Sequence, residues 1–152
     1  MRKFIISIDA GTTSNRAILF DLKGKPVYSS QKEFTQFFPK SGWVEHNPEE
    51  IWNTTKKVLS DVILKAKKLR GKIFTIGITN QRETTVLWDK KTGKTIYNAI
   101  VWQDRRQDES CKKLKKQNKE TLIFNKTGLP IDSYFSGTKI KWILDNVSIA
   151  RK

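Results

Sequence analysis

The sequence opens with two apolar strand patterns that are separated only by a short turn. Residues 4–8 are typical of a largely buried strand, residues 16–21 are typical of a second strand, and the segment between them is rich in Gly, Thr and Ser. We therefore expect the two strands to pair as a hairpin. A third, more polar strand pattern at 27–34 suits the edge of a sheet.

The best-defined helix pattern follows at residues 48–69. Asn47 is a candidate N-cap and Pro48 stands at the first helical position. An apolar stripe then recurs at helical spacing until Gly71. The preceding residues, 36–46, are expected to form a loop.

The rest of the chain is expected to supply more strands and three further helices. The patterns predict a strand at 73–78, a hairpin between 84 and 102, and helices near 104–117, 119–125 and 136–147. Together these elements predict an α/β fold whose mixed sheet starts with an antiparallel hairpin and carries helices on its faces. A doubly wound parallel sheet is not expected, because antiparallel pairs are prominent.

The length and composition indicate a folded chain without a membrane span. Its 152 residues suffice for one domain with a core, and 37% of them are hydrophobic. No apolar run approaches the roughly 20 residues that a spanning helix needs, and the apolar segment 4–8 is too short for a signal peptide. Cys111 is the only cysteine, which excludes an intrachain disulfide. We expect a cytoplasmic protein.

The net charge of +15 raises a second class of function, a non-enzymatic basic module that binds polyanions such as nucleic acid. Of the 30 basic residues, however, 23 are Lys and seven are Arg. Recognition of phosphates and base edges favours the two-pronged guanidinium of Arg. The lysines are also scattered over predicted helix surfaces. Nucleic-acid binding is therefore the less favoured interpretation and stands as the alternative to an enzymatic one.

Residues 9–14, with the sequence DAGTTS, form the first candidate site at the end of a buried strand. Gly11 permits close approach of the backbone to a ligand, and successive N–H groups in such a turn can bind an anion. Asp9 offers a carboxylate for Mg²⁺ or its water shell. The alternative is an ordinary hairpin turn, for which these residue types are common. The other groups suited to phosphate oxygens are Thr12, Thr13, Ser14 and Arg16.

A second polar segment follows the strand predicted at 73–78. Residues 79–85 are polar throughout and lie between two predicted strands, where unpaired polar groups are costly to bury. Arg82 brings hydrogen-bond donors and Glu83 brings acceptors, a combination suited to the hydroxyls of a polyol. The alternative is a solvated loop with a surface ion pair.

Two aromatic residues complete the candidates. Trp102 ends an apolar strand pattern, where an indole can wall the carbon face of a small ligand, and Tyr134 lies in the loop before the last predicted helix. Either residue can instead be an ordinary packing residue. His46 has no second His in the sequence, so a loop hydrogen bond is expected for it rather than metal binding.

In this order the motifs resemble one family. The turn at 9–14 is similar to the phosphate-binding loop of the actin and sugar-kinase superfamily. Four other segments resemble the glycerol kinases of the FGGY carbohydrate kinase family, and the resemblance runs over essentially all 152 residues. The four segments are SGWVEH at 41–46, GITNQRETT at 77–85, NAIVWQ at 98–103 and GTKIKWIL at 137–144.

The resemblance implies a ribonuclease H-like (actin-like) fold and transfer of the γ-phosphoryl group of ATP to a primary hydroxyl of glycerol. By position in the motifs, Asp9 would act near Mg²⁺. The residues that would contact the nucleotide phosphates are Thr12, Thr13, Ser14 and Arg16. The residues that would line the glycerol pocket are Arg82, Glu83, Trp102 and Tyr134.

The length departs from the family pattern. Family members are several times longer and have two actin-like domains, and their catalytic Asp would lie well beyond position 152. We therefore expect residues 1–152 to be a truncated N-terminal kinase domain whose second domain is absent, from a truncated or split gene, and inactive by itself. In a variant of this expectation a separate chain supplies the missing half, and an apolar surface should then be exposed. Within the matched region, Ser133 stands where the family usually has a proline, and Asp104 stands where it commonly has an uncharged residue.

Overall fold

The computed structural model describes residues 2–151, which form two compact units. The first unit combines residues up to 35 with 49–81, and the second combines 36–48 with the chain from residue 82 onward. The strands are β1 (Arg2–Ala10), β2 (Ser14–Asp21), β3 (Pro26–Glu33), β4 (Glu45–His46), β5 (Gly71–Thr79) and β6 (Ala99–Ile100). The helices are α1 (Pro48–Lys68), α2 (Asp108–Lys116), α3 (Glu120–Thr127) and α4 (Ser136–Asn146).

The first unit contains a four-stranded mixed sheet in the order β3-β2-β1-β5. β2 pairs antiparallel with both β1 and β3, whereas β5 runs parallel to β1. The predicted N-terminal hairpin is thus confirmed, and β3 lies at an edge of the sheet as its polar sequence indicated. The α/β fold class with a mixed sheet is confirmed as well.

The core of the first unit lies on one face of this sheet, against α1. Buried residues alternate with less buried ones along β1 and β2, as expected for strands that are covered on one face. The apolar stripe of α1 supplies the other side of the core. The core residues are Phe4, Ile6, Ile8, Ala17, Leu19, Val58, Val62 and Ala66.

β5 continues the core face of the sheet but leaves it uncovered. Ile76 is in register with Ile6, and Ile78 with Ile8, so each pair points to the same side of the sheet. Ile6 and Ile8 are at most 4% exposed, whereas Ile76 is 44% and Ile78 is 73% exposed. Within the described residues the outer edge of β5 also has no paired strand. The first unit therefore exposes an apolar strip along an open strand edge.

The second unit contains a two-stranded antiparallel sheet of β4 and β6, in which Glu45 pairs with Ile100. The prediction of a loop throughout 36–46 is therefore wrong at residues 45 and 46. The hairpin predicted between 84 and 102 reduces to β6 and two isolated bridges. Ile100 of β6 exchanges both of its backbone hydrogen bonds with Thr85 (2.9 and 3.0 Å), so part of the predicted hairpin is present. On its other side β6 pairs with β4, a partner more than fifty residues away in the sequence, and local periodicity does not report such pairing.

A buried ion cluster holds β4 in place. The guanidinium of Arg106, on a side chain only 1% exposed, lies 2.8 Å from a carboxylate oxygen of Glu45 and 2.8 Å from one of Asp104. Its Cζ is 3.8 Å from the ring centroid of Trp43 and 4.6 Å from that of Trp142. Asp104, one of the departures from the family pattern, is thus one of two carboxylates that neutralise a buried cation.

The helices of the second unit lie close to their predicted positions, except at the start of α2. That helix begins at Asp108 rather than at 104, because the carboxylate of Asp104 accepts the N–H of Arg106 (2.9 Å) and holds the intervening residues in turns. α3 and α4 begin and end within two residues of the predicted bounds. No helix formed by residues 2–151 is both long and apolar enough to cross a membrane.

Candidate functional site

The candidate phosphate-binding site is the turn between β1 and β2. The N–H of Gly11 donates to the carbonyl oxygen of Ser14 (3.0 Å) and closes the turn. A Cβ atom on residue 11 would lie 2.9 Å from that oxygen, which is closer than a carbon atom tolerates. The turn itself therefore excludes a side chain at residue 11, and close approach of this backbone to a ligand stays a prediction.

Two side chains that the sequence analysis did not single out as site residues anchor this turn. Asn15 is fully buried and donates to Oγ1 of Thr54 (2.7 Å) and to the carbonyl of Ile51 (2.9 Å) on α1. Gln81 donates through Nε2 to the carbonyl oxygen of Gly11 (2.8 Å). In the sequence, Asn15 could have been found as an amide at a core-facing position of β2. Gln81 could have been found as a member of the polar segment that follows β5. The turn is held from both sides and is preorganised.

The charged residues of this site lie on the sheet face opposite α1. Asp9 and Arg16 are exposed and stand directly opposite each other across β1 and β2. Arg16 donates through Nε to Oε1 of Gln31 (3.0 Å), and Nε2 of Gln31 donates to the hydroxyl of Ser14 (2.8 Å). Because the Ser14 oxygen accepts this bond, its own hydrogen can still be donated to an anion. Thr12 and Thr13 form the tip of the turn.

The candidate polyol-binding residues belong to the second unit. Glu83 has a φ of 62°, which is uncommon for a residue other than Gly. Its Oε2 accepts the backbone N–H (2.8 Å) and the hydroxyl (2.7 Å) of Ser136, the first residue of α4. Within residues 2–151, Oε1 of Glu83 has no hydrogen-bond partner and the exposed Arg82 makes no hydrogen bond or ion pair. The two side chains do not pair with each other, so a guanidinium and a carboxylate oxygen remain open to a ligand.

The structure brings Trp102 and Tyr134 together. Their ring centroids are 5.8 Å apart at an interplanar angle of 63°. Trp102 lies two residues beyond the end of β6 rather than in the strand, and Tyr134 precedes α4 and packs on Phe135 (5.2 Å). Because Glu83 binds Ser136, two residues beyond Tyr134, the second unit gathers both aromatic rings and the Glu83 carboxylate around the start of α4.

His46 and Cys111 lie outside these two sites. His46 is fully buried in β4, with Nε2 2.6 Å from Oε1 of Gln36, the kind of loop hydrogen bond that the sequence predicted. Cys111 is buried in α2, and burial raises the pKa of its thiol. A buried thiol of raised pKa is a packing group rather than a nucleophile.

Comparison with known proteins identifies the family. Residues 4–152 match the N-terminal domain of the FGGY family of carbohydrate kinases. A glycerol kinase of Petrotoga mobilis is 59% identical over 152 residues, which are 100% of this chain and 30% of that protein. A glycerol kinase of Oceanobacillus iheyensis is 62% identical over 150 residues, which are 99% of this chain and 30% of that protein. The chain thus spans about 30% of the length of the curated relatives it matches.

Solved structures give the same result for the fold. The crystal structure of Plasmodium falciparum glycerol kinase with ADP superposes with a TM-score of 0.91 at 36% identity, over 99% of this chain and 30% of that one. A gluconate kinase from Lactobacillus acidophilus superposes with a TM-score of 0.89 at 25% identity, over the same shares. The ribonuclease H-like (actin-like) fold expected from the sequence is confirmed. This chain belongs to the FGGY family of carbohydrate kinases, and among them it is similar to the N-terminal part of glycerol kinases.

Proposed function

We propose that this chain binds glycerol and the phosphates of ATP as the N-terminal part of a glycerol kinase. That enzyme transfers the γ-phosphoryl group of ATP to a primary hydroxyl of glycerol and forms glycerol 3-phosphate. The observation that carries the proposal is the open pair of polar groups at Arg82 and Glu83, in the unit that also holds Trp102 against Tyr134. Identities of 59–62% to glycerol kinases support it.

Recognition of a small polyol needs donors, acceptors and an apolar wall. Oε1 of Glu83 accepts hydroxyl hydrogens, and the guanidinium of Arg82 donates to hydroxyl oxygens. The rings of Trp102 and Tyr134 pack against the carbon chain of the ligand. Because Ser136 holds the other oxygen of Glu83, little side-chain freedom is lost when the ligand binds, and this favours affinity.

The turn between β1 and β2 fits a nucleotide phosphate. Its backbone is closed by Gly11, and the site that it offers lies beside a cation, Arg16. We assign the phosphate contacts to Thr12, Thr13, Ser14 and Arg16. The Plasmodium falciparum glycerol kinase, a relative of the same fold, was crystallised with ADP, which supports a nucleotide as a ligand of this family.

Asp9 fits the usual mode of Mg²⁺ binding in kinases, in which one or two carboxylates hold an ion that phosphates and water otherwise coordinate. Among residues 2–151 no three His, Cys, Asp or Glu side chains gather into a metal site. Asp9 would therefore be a single protein ligand. When bound, Mg-ATP supplies the phosphoryl group with part of its charge neutralised.

Phosphoryl transfer to a hydroxyl also needs a group that takes the hydroxyl proton. We place this base in the region of the relatives that the 30% match does not include. By itself, the 152-residue chain is then expected to bind its ligands and not to turn over.

We further propose that a separate polypeptide, equivalent to the remainder of a glycerol kinase, completes the first unit along β5. The apolar strip of Ile76 and Ile78 beside an open strand edge supports this partner, because an added strand with a covering helix would bury both side chains. The alternative function is binding of nucleic acid by the basic surface of the chain. An affinity for arbitrary DNA that falls steeply with increasing salt concentration would favour this alternative.

Calorimetric titration of the purified chain with glycerol and with Mg-ATP tests the proposed function. We expect Arg82→Ala to abolish glycerol binding and to leave nucleotide binding unchanged. Arg151→Ala is the matched control, because its guanidinium is exposed and, among residues 2–151, pairs only with Asp145 and the carbonyl of Leu144. Glycerol binding by Arg82→Ala with unchanged affinity would contradict the assignment, as would ATP-dependent turnover by the chain alone.

A further inference from the structure

Lys139 occupies an unusual position for a lysine. It lies in the first turn of α4 and is 0% exposed. Its Nζ donates to three successive carbonyl oxygens, those of Ser133 (2.6 Å), Tyr134 and Phe135 (3.3 Å). All three hydrogens of the ammonium group are thereby used on one short stretch of backbone.

This placement is unfavourable for the stability of the helix and of the fold. A cation in the first turn of a helix is opposed by the helix dipole, and burial of an ammonium group is costly. Desolvation accordingly lowers the pKa of Lys139 to about 8, although nearby Glu83, Asp104 and Asp132 favour the charged form. A residue that served only to extend the core would be apolar here.

The carbonyls that Lys139 binds belong to the segment that carries Tyr134. The N–H of Tyr134 donates to Oδ1 of Asp132 (2.7 Å), and its carbonyl accepts from Lys139. Its ring lies between Trp102 and Phe135, at centroid distances of 5.8 Å and 5.2 Å. Backbone and ring are thus fixed from separate sides, and Lys139 is the only cation on the backbone of this residue among the described contacts.

The same segment leads directly into the contact with Glu83. Phe135, the last residue whose carbonyl Lys139 holds, precedes Ser136, and Ser136 donates twice to Oε2 of Glu83. The position of the segment therefore sets the orientation of the Glu83 carboxylate as well as that of the Tyr134 ring.

We propose that Lys139 is a positioning residue for polyol binding, which fixes the ring of Tyr134 against Trp102 and the carboxylate of Glu83 through Ser136. This inference rests on the proposed function, since Tyr134 and Glu83 are the groups assigned to glycerol. Lys139 itself is buried and does not contact the ligand. It acts by holding three carbonyls in the arrangement that places the two ligand-binding side chains.

The test compares Lys139→Met, which keeps an unbranched side chain one atom shorter and removes the charge, with Lys141→Met. Lys141 lies on the same helix, is exposed and pairs with Asp145, so it is the matched control. Glycerol affinity of the full chain is measured by calorimetry from pH 6.5 to 9.5. NMR follows the Tyr134 ring and the Ser136 amide over the same range, and urea unfolding reports whether each variant is folded.

We expect Lys139→Met to weaken glycerol binding about tenfold or more at neutral pH and Lys141→Met to leave it unchanged. In the wild type, affinity should fall as the pH rises through about 8, because the ammonium group becomes an amine with fewer donors. Lys139→Met should lack this step. The charged groups facing Lys139 are Glu83, Asp104, Asp132 and Arg105, and carboxylates and guanidinium groups keep their charges over this range.

Several outcomes would overturn the inference. A folded Lys139→Met that binds glycerol within twofold of the wild type would do so, and so would a pH step that persists in that variant. If the wild type does not bind glycerol at all, the proposed function fails separately, and NMR decides the question of positioning. NMR of the wild type also decides the question of positioning if Lys139→Met does not fold. Signals of Tyr134 and Ser136 in the wild type that stay constant while the side-chain signals of Lys139 titrate would then exclude a positioning role.

Discussion

Glu83 caps α4 through Ser136, whose N–H and hydroxyl donate to the same carboxylate oxygen at 2.8 and 2.7 Å. The other oxygen has no hydrogen-bond partner among residues 2–151. The φ of 62° at Glu83 directs the side chain into this arrangement at a cost on the order of 1 kcal/mol or more. One carboxylate thus combines a structural contact with an open acceptor.

Glu83→Gln is expected to separate these two roles. The amide oxygen can still accept the bonds from Ser136, so we expect the free energy of unfolding to fall by only about 1 kcal/mol. Glycerol affinity should fall about tenfold or more, because a charged acceptor is lost. Urea unfolding and calorimetry measure the two effects. Glu109→Gln, an exposed residue paired with Lys112, should change neither. An unchanged affinity in Glu83→Gln would show that the carboxylate only caps the helix.

Gly11→Ala is expected to disrupt the turn between β1 and β2, because the new Cβ would lie 2.9 Å from the Ser14 carbonyl oxygen. Mg-ATP binding should weaken at least about tenfold while glycerol binding persists. Gly77→Ala is the control, because a Cβ at that position meets no atom within 4 Å. Calorimetry with each ligand measures the outcome, and equal nucleotide affinities in the two variants would remove the turn from the phosphate site.

Arg106→Met is expected to lower the free energy of unfolding by about 3–5 kcal/mol, because it leaves the buried carboxylates of Glu45 and Asp104 without their cation. Urea unfolding measures the change. Arg151→Met removes an exposed guanidinium and should lower it by less than about 1 kcal/mol. Similar losses in both variants would mean that the cluster contributes little to the fold.

The lowered pKa of Lys139 predicts how the free energy of unfolding depends on pH. Its pKa is about 8 in the folded chain and 10.5 in its ordinary state, so between these values the unfolded chain holds a proton that the folded chain has released. Stability therefore gains with rising pH in this window. Relative to Lys139→Met, the wild type should gain roughly 2 kcal/mol between pH 8 and 9.5 in urea unfolding. A constant difference between the two proteins would contradict the lowered pKa.

The open edge of β5 predicts a partner that can be tested directly. The part of the Oceanobacillus iheyensis glycerol kinase beyond the matched region, expressed as a separate chain, should co-purify with this protein and restore turnover. Ile76→Asp with Ile78→Asp should abolish both effects and leave the chain folded, because these side chains are already 44% and 73% exposed. Leu64→Asp, at a residue of α1 that is 51% exposed, is the control. Complex formation that survives the double substitution would place the interface elsewhere.

Local patterns were sufficient to predict the strands and the helix of the first unit, although not the parallel pairing of β5 with β1. The hairpin follows from two apolar segments and a short turn, and α1 follows from Pro48 and its apolar stripe. These signals are local, and the pairing of neighbouring strands requires no information from distant parts of the chain. The predicted bounds of α1 agree with the structure to within one residue.

Contacts distant in sequence explain what local patterns missed. β4 is two residues long, and its Glu45 is a polar residue that is buried only because Arg106, Tyr97 and Asn98 bind it. Lys139 lies on α4 at a position where the sequence shows one more lysine in a lysine-rich chain. Its role is visible only when three backbone carbonyls converge on it.

The candidate site residues were accessible from motifs, whereas the groups that hold them were not. Arg82 and Glu83 stand out as polar residues after an apolar strand, but the bond between Glu83 and Ser136 spans 53 positions. The anchoring of the phosphate turn by Gln81 spans 70 positions. Sequence motifs indicate chemistry, and the side chains that orient it come from elsewhere in the fold.

The exposed side chains of Ile76 and Ile78 on β5 bear on how long the protein persists in a cell. An unpaired edge of apolar sequence attracts any other strand that is available, including the same edge of another copy. Chaperones and proteases act on such surfaces. On the proposal that a separate polypeptide shields this edge, the abundance of this protein would follow the supply of that polypeptide, and an excess of unshielded chains would be cleared or would aggregate.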